Sequence, residues 1–196
     1  METVEGERFS GQDWALAEVE RTAYQDCVFH DVDWSEARLT GCTFTDCEFG
    51  NVRFNATVLE RTAVLQSVFQ RCSFFDATLT DCKLTGTRFV DCGLRPLTVN
   101  GGDWAFVSLR GQNLTAAKLT GLRLREADLT GADLTRADLR GSDLSGARLK
   151  DAVLAGADLR GADLNGVALQ GVDIKGTTID LAQAVLFAVA HGAKVS

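Results

Sequence analysis

Hydrophobic residues recur at every fifth position along almost the whole chain. The series starts at Phe9, runs through Trp14, Val19 and Tyr24, and continues without a change of phase to Ile179, which makes 35 consecutive apolar positions. Neither the 3.6-residue period of an α-helix nor the two-residue period of a flat strand fits this spacing. The pattern therefore predicts a repeat protein built from five-residue units.

Two other positions of each unit are also restricted. The residue two before the centre is usually small, as at Ala132 and Ala162, and this slot also holds all six cysteines. The residue two after the centre is often glycine, as at Gly131 and Gly166. One large and one small inward residue, with a turn-permissive glycine, describe one side of a square coil. Four units then close a turn of 20 residues, and neighbouring turns pair as parallel strands.

The choice of residues 20 positions apart supports this turn length. One column contains only phenylalanine through the first half of the chain, from Phe9 to Phe89, whereas the column that starts at Val19 and Leu39 has no aromatic residue. Column-specific choice is expected when residues 20 apart stack on each other. The sequence therefore predicts an all-β solenoid of nearly nine coils, whose cysteines are free thiols that pack in the core.

This pattern resembles the pentapeptide-repeat family over residues 9–179, in units such as Ala132-Asp133-Leu134-Thr135-Arg136. The resemblance implies a right-handed quadrilateral parallel β-helix followed by a C-terminal α-helix. We divide the chain into an N-terminal tail (1–8), a β-helix (9–179) whose halves meet near 95–104, and a C-terminal dimerisation helix and tail (180–196).

The C-terminal segment leaves the five-residue period. Asp180 can cap a helix that runs from Leu181 to about His191, and Gly192 can end it. Apolar residues lie nearly all round this helix, more than one capping surface would bury. We predict a homodimer interface rather than a simple cap, formed by Leu181, Val185, Leu186, Phe187 and Val189.

Composition excludes several classes of function. The net charge is −7, which argues against direct binding of nucleic acid, since that requires clustered Lys and Arg. No apolar run is long enough for a membrane span and no signal peptide precedes the repeats, so a cytoplasmic location is expected. With two histidines and no phosphate-binding, metal-ligating or nucleophile–base motif, we expect neither an enzyme nor a cofactor or metal site.

The acidic residues are concentrated near the N-terminus. Residues 1–50 contain 12 Asp and Glu but only three Arg, whereas residues 101–196 contain 11 of each sign. We interpret the acidic end either as protection of an open edge or as an electrostatic surface for a basic partner. The aspartates just before the repeat centres are expected to bond to nearby turn backbone.

Several segments also resemble the fluoroquinolone-resistance members of the family. They are Leu94-Arg95-Pro96-Leu97-Thr98, Leu122-Arg123-Leu124-Arg125-Glu126, Asp143-Leu144-Ser145-Gly146-Ala147-Arg148, and the tail around Gln183-Ala184-Val185 and Ala190-His191-Gly192. This resemblance implies a dimer that mimics duplex DNA, binds and inhibits DNA gyrase, and confers fluoroquinolone resistance. The alternative is a scaffold or interaction protein whose partner is unrelated to DNA topology.

Two sets of carboxylates are candidates for the gyrase contact. The central set, near the dimer axis, is Asp138, Asp143, Asp158 and Asp163, and the distal set is Asp13, Asp31, Asp33, Glu36, Asp46 and Glu48. Gyrase is two-fold symmetric, and coincident two-fold axes would place the contact near the C-terminal junction. On this ground we favour the central set, whereas acid density favours the distal set.

Overall fold

The computed structural model describes residues 2–195, and these residues form a parallel β-solenoid that ends in one α-helix. The strands are β1 (Glu2–Glu5), β2 (Arg8–Ser10), β3 (Glu18–Glu20), β4 (Thr22–Gln25), β5 (Val28–His30), β6 (Arg38–Thr40), β7 (Thr43–Thr45), β8 (Glu48–Gly50), β9 (Val58–Glu60), β10 (Ala63–Leu65), β11 (Val68–Gln70), β12 (Ala77–Thr80), β13 (Arg88–Val90) and β14 (Leu97–Asn100). The helix is α1 (Leu181–Ala190).

The strands form three parallel sheets in which every partner lies 20 residues away. The orders are β1-β4-β7-β10, β2-β5-β8-β11-β13 and β3-β6-β9-β12-β14. Phe9 pairs with Phe29, and Leu79 pairs with Val99. The predicted 20-residue turn is therefore confirmed, and with it the parallel β-helix.

The solenoid begins earlier than the sequence analysis placed it. Residues 1–8 were assigned to a tail, but Glu2–Glu5 is a strand in which Val4 pairs with Tyr24. Val4 lies five residues before Phe9, so it continues the apolar period by one more unit. The assignment of residues 2–8 to a tail is wrong, and residue 1 lies outside the described residues.

We number the four faces of the solenoid by their first inward centres: face 1 at Val4, face 2 at Phe9, face 3 at Trp14 and face 4 at Val19. In the first coils, faces 1, 2 and 4 are the three sheets, and face 3 is held by single bridges such as Asp13 to Asp33. After β14 all pairing is by single bridges, which follow face 2 from Arg88 as far as Arg148.

The corners explain the residue found two positions after each centre. From Gly6 to Gly176 this residue has a left-handed backbone, with φ between 47° and 77°, at every corner except Pro96. Glycine adopts this conformation freely, and Asp and Asn tolerate it better than most residues. The second half mostly uses glycine there, whereas the first half often uses residues such as Asp26 and Asn51.

Stacked aromatic rings fill the core of the first half. The rings of Phe29 and Phe49 are 4.9 Å apart with an interplanar angle of 7°, and those of Phe49 and Phe69 are 4.5 Å apart. Five of the six cysteines are buried, Cys92 is half-buried, and all six are free thiols. The thiol of Cys72 donates to the carbonyl oxygen of Phe49 in the preceding coil, so this buried thiol has a hydrogen-bond partner.

Helix α1 covers the C-terminal end of the core. Asp180 caps it as predicted, and the side chains of Asp180 and Gln183 each accept the other's backbone N–H at 3.0 Å. Gln183 also donates to the carbonyl of Ala162 at 2.9 Å, and Phe187 is only 5% exposed. Phe187 therefore packs on its own solenoid and is not free to contact a partner, which corrects its assignment to the dimer interface. Among residues 2–195, no helix is long and apolar enough to cross a membrane.

Candidate acidic binding surface

The aspartates of the second half are first of all structural. In the position just before an inward centre, the carboxylate accepts the backbone N–H two residues later, which closes a local turn. Asp143 accepts from Ser145 N at 3.0 Å and Asp163 accepts from Asn165 N at 2.9 Å. The expected bonding of these aspartates to turn backbone is confirmed.

Two members of the central set are also paired with arginines. Asp138 and Asp158 stack on face 4 of adjacent coils. Arg140 donates to both oxygens of Asp138 at 2.8 and 2.7 Å, and Arg160 donates to Asp158 at 2.9 and 2.6 Å. Arg140 also lies 3.8 Å from Asp158, so the four side chains form one network of alternating charge.

Hydrogen bonds keep three of the four central carboxylates in their ionised form. The hydrogen bonds from Arg140 lower the pKa of Asp138 to about 2, and those from Arg160 lower the pKa of Asp158. The hydroxyl of Ser145, which donates at 2.6 Å, lowers the pKa of Asp143. All three carboxylates are thus ionised at neutral pH, but the charges of Asp138 and Asp158 are balanced by adjacent guanidinium groups.

Arg140 and Arg160 were missed in the sequence analysis, although the signal was present. Each follows its aspartate by two positions, across an inward leucine. Residues on either side of an inward centre both point outward and lie next to each other. The spacing Asp-Leu-Arg therefore predicts an ion pair on one coil.

The distal set is only partly neutralised. Arg53 donates to Asp33 at 2.6 Å and lowers its pKa to about 2, and Asp31 lies 2.8 Å from Nδ1 of His30. Glu36, Asp46 and Glu48 are exposed, and none has a cationic group within 4.0 Å among residues 2–195. Within the part of the chain that the structure describes, the only hydrogen bond to the Asp13 carboxylate comes from the backbone N–H of Ala15, at 3.1 Å.

These distal carboxylates surround the rod rather than line one side of it. Glu48 is on face 2, and Asp46 occupies the corner between faces 1 and 2 in the same coil. Asp13 and Asp33 are bridged on face 3, and Glu36 lies at the corner between faces 3 and 4. The structure therefore brings together Asp46 with Glu48 and Asp13 with Asp33, and it separates the two pairs.

The family model for pentapeptide repeats matches residues 25–61, 108–146 and 142–182, with eight copies, which is more than half of the chain. The chain belongs to the pentapeptide-repeat family. No curated protein sequence matches it.

Solved structures of QnrB1, a plasmid-mediated fluoroquinolone resistance protein, share its fold. A trypsin-treated form has a TM-score of 0.87 at 20% identity, covering 100% of this chain and 99% of that one. The full-length form has a TM-score of 0.59 at 21% identity, covering 97% and 100%.

Proposed function

We propose that this pentapeptide-repeat protein binds DNA gyrase as a mimic of duplex DNA, inhibits or modulates the enzyme, and confers fluoroquinolone resistance. The observation that carries the proposal is the match of the solenoid, over its whole length, to a fluoroquinolone resistance protein. The surface chemistry is compatible with mimicry, because a rigid solenoid presents ionised carboxylates at fixed spacing, as duplex DNA presents phosphates.

The contact residues that we propose differ from those favoured by symmetry. Asp138 and Asp158 already hold arginine side chains, so a basic partner would have to displace Arg140 and Arg160 to reach them. Glu36, Asp46 and Glu48 have no such competitor within residues 2–195 and are exposed. Because screening limits charge interactions to about 8–10 Å, local pairing matters more than net charge. We therefore assign the main gyrase contact to the distal set.

Charge reversal in the two sets tests this assignment. In a gyrase supercoiling assay, Asp46→Lys/Glu48→Lys should raise the inhibitory concentration at least tenfold, which corresponds to about 1.4 kcal/mol of binding free energy. The matched control, Asp138→Lys/Asp158→Lys, should change it less than threefold. A larger effect of the control pair would place the contact at the centre of the dimer.

A direct binding experiment separates gyrase from an unrelated partner. Purified gyrase subunits should be retained by the immobilised protein at low salt and released as salt is raised, because opposed charges are screened. Absence of binding to either subunit would refute the proposal and favour the scaffold function instead.

We also propose a homodimer through the exposed face of α1. Leu181 is 82% exposed, Val189 is 53% exposed and Leu186 is 36% exposed, and Val185 lies half-buried between them. An apolar surface of this kind marks an association site. Leu186→Asp should halve the mass measured by light scattering without loss of the solenoid's circular dichroism. An unchanged mass would mean that α1 is only a cap.

A further inference from the structure

The last two coils lack backbone hydrogen bonds to each other on two of their four faces. One coil earlier, Leu129 N donates to Arg148 O at 2.9 Å on face 2, and Leu134 N donates to Val153 O at 2.8 Å on face 3. The equivalent N–H groups of Leu149 and Leu154 have no acceptor anywhere in residues 2–195. The same is true of the reverse bonds that Ala168 and Asp173 would make to the coil below.

The loss of hydrogen bonds is local, because backbone hydrogen bonds join the same two coils on the other two faces. Leu144 N donates to Asp163 O at 2.9 Å on face 1, and Leu159 N donates to Thr178 O at 2.9 Å on face 4. Between these anchors, a slot of about 580 Å³ opens along residues 146–151 and 166–172. The wall formed by the last coil has small residues, such as Gly166, Ala168 and Gly171.

Leu149, whose N–H has no acceptor among residues 2–195, lines the slot. Leu149 is 2% exposed and Leu154 is 1% exposed, so their N–H groups lie in a largely buried part of the coil. A buried N–H without an acceptor is destabilising. An unpaired strand edge of this kind is a template for another extended chain, which satisfies such groups with its own backbone.

The side chains beside the slot indicate the charge of that chain. Arg148 and Lys150 flank Leu149 and are exposed, and the one carboxylate that lines the slot is Asp151. Four of the other six arginines of this half hold a carboxylate within 3.2 Å, among them Arg110 and Arg123. Arg148, by contrast, is 3.8 Å from Asp128, which Arg110 already engages, and Lys150 has no carboxylate within 4.0 Å among the described residues.

We propose that this slot on face 2 binds an extended acidic peptide segment of a partner protein, which pairs by its main chain with residues 148–150. Its carboxylates would contact Arg148 and Lys150, and the small residues of the last coil leave room for it. The site is separate from the distal carboxylates and does not depend on binding to gyrase.

Hydrogen exchange and peptide binding on the full-length protein test the proposal together. In the free protein, the amides of Leu149 and Leu154 should exchange at least tenfold faster than those of Leu129 and Leu134, which occupy the same positions one coil earlier. A fluorescein-labelled peptide of alternating Thr and Glu should bind saturably and slow exchange at Leu149, which lines the slot, but not at Leu154 on the next face. The peptide of alternating Thr and Lys is the charge control and should not bind.

A matched pair of variants separates the slot from general charge. Arg148→Glu/Lys150→Glu should weaken binding of the Thr–Glu peptide at least tenfold. Arg123→Glu/Arg125→Glu, which flank Leu124 in the same way in a fully paired coil, should change it less than threefold. Slow exchange at Leu149 and Leu154 in the free protein, absence of peptide binding, or equal weakening by the two variants would each overturn the proposal.

Discussion

Gly102 should be the least replaceable glycine of the solenoid. It occupies an inward slot two residues before Trp104, where other units have a small side chain. A Cβ at this position would lie 2.3 Å from the carbonyl oxygen of Cys82, and φ is +114°. Trp104 is 1% exposed and packs above Phe89 with ring centroids 6.5 Å apart, so the backbone cannot retreat without disturbing the core.

The expected loss of stability at Gly102 can be compared with that of the same substitution at Gly131. At Gly131 φ is +66° and a Cβ would meet nothing within 4 Å, so Gly131→Ala costs only the left-handed conformation, about 1–2 kcal/mol. Gly102→Ala adds the overlap with the Cys82 carbonyl, and its total cost should exceed about 3 kcal/mol. At about 2–4 °C per kcal/mol for a chain of this size, the apparent Tm should fall by at least about 6 °C.

Thermal unfolding followed by circular dichroism at one scan rate would compare the two variants with the parent protein. A fall for Gly102→Ala that is no greater than that for Gly131→Ala would refute the reasoning. It would mean that the coil at residue 102 shifts easily, and that the glycine serves only to leave volume for Trp104.

Two further predictions concern ionisation and thiols. Because Arg53 and Arg140 lower the pKa values of Asp33 and Asp138 to about 2, these groups stabilise the fold above about pH 4, and their contribution is lost as the pH falls from about 4 to about 2. Asp138→Asn should therefore reduce the loss of apparent Tm between neutral pH and pH 3, and an unchanged loss would contradict the pairing. Freshly purified protein should show six titratable thiols after denaturation without reductant, and four or fewer would contradict free cysteines.

The fold could be predicted from the sequence because its determinants are periodic. The apolar centres repeat every five residues and their identities repeat every 20, so the register of Phe9 with Phe29 followed directly. The first unit at Val4 was missed because the series was started at the first aromatic residue, one unit too late. The left-handed corners were recognised only where glycine occurs, since residues such as Arg61 and Leu16 adopt the same conformation without any sequence signal.

The candidate binding surface could be predicted less well, because it depends on which side chains form ion pairs and not on the five-residue period. Asp138 and Asp158 looked like available carboxylates when acids alone were counted, and Arg140 and Arg160 change that interpretation. Phe187 was placed in a dimer interface because helix periodicity does not show which apolar face meets the chain's own core. The slot beside Leu149 has no sequence signal, since Leu169 and Ile174 keep the five-residue period across the unpaired faces.

Inward and outward positions of the solenoid have different roles, and this difference affects how a partner is recognised. Inward positions fix the coil, so the outward positions on either side of each centre can vary without loss of the fold. In the second half, two of these outward pairs combine Asp with Arg, Asp138 with Arg140 and Asp158 with Arg160, and their opposite charges lie within about 3 Å of each other. In the first coils, carboxylates such as Asp46 and Glu48 lie next to each other without arginine. The effective charge along the rod thus depends on local pairing, and a basic partner should be attracted to the end where more carboxylates are left without a cationic neighbour.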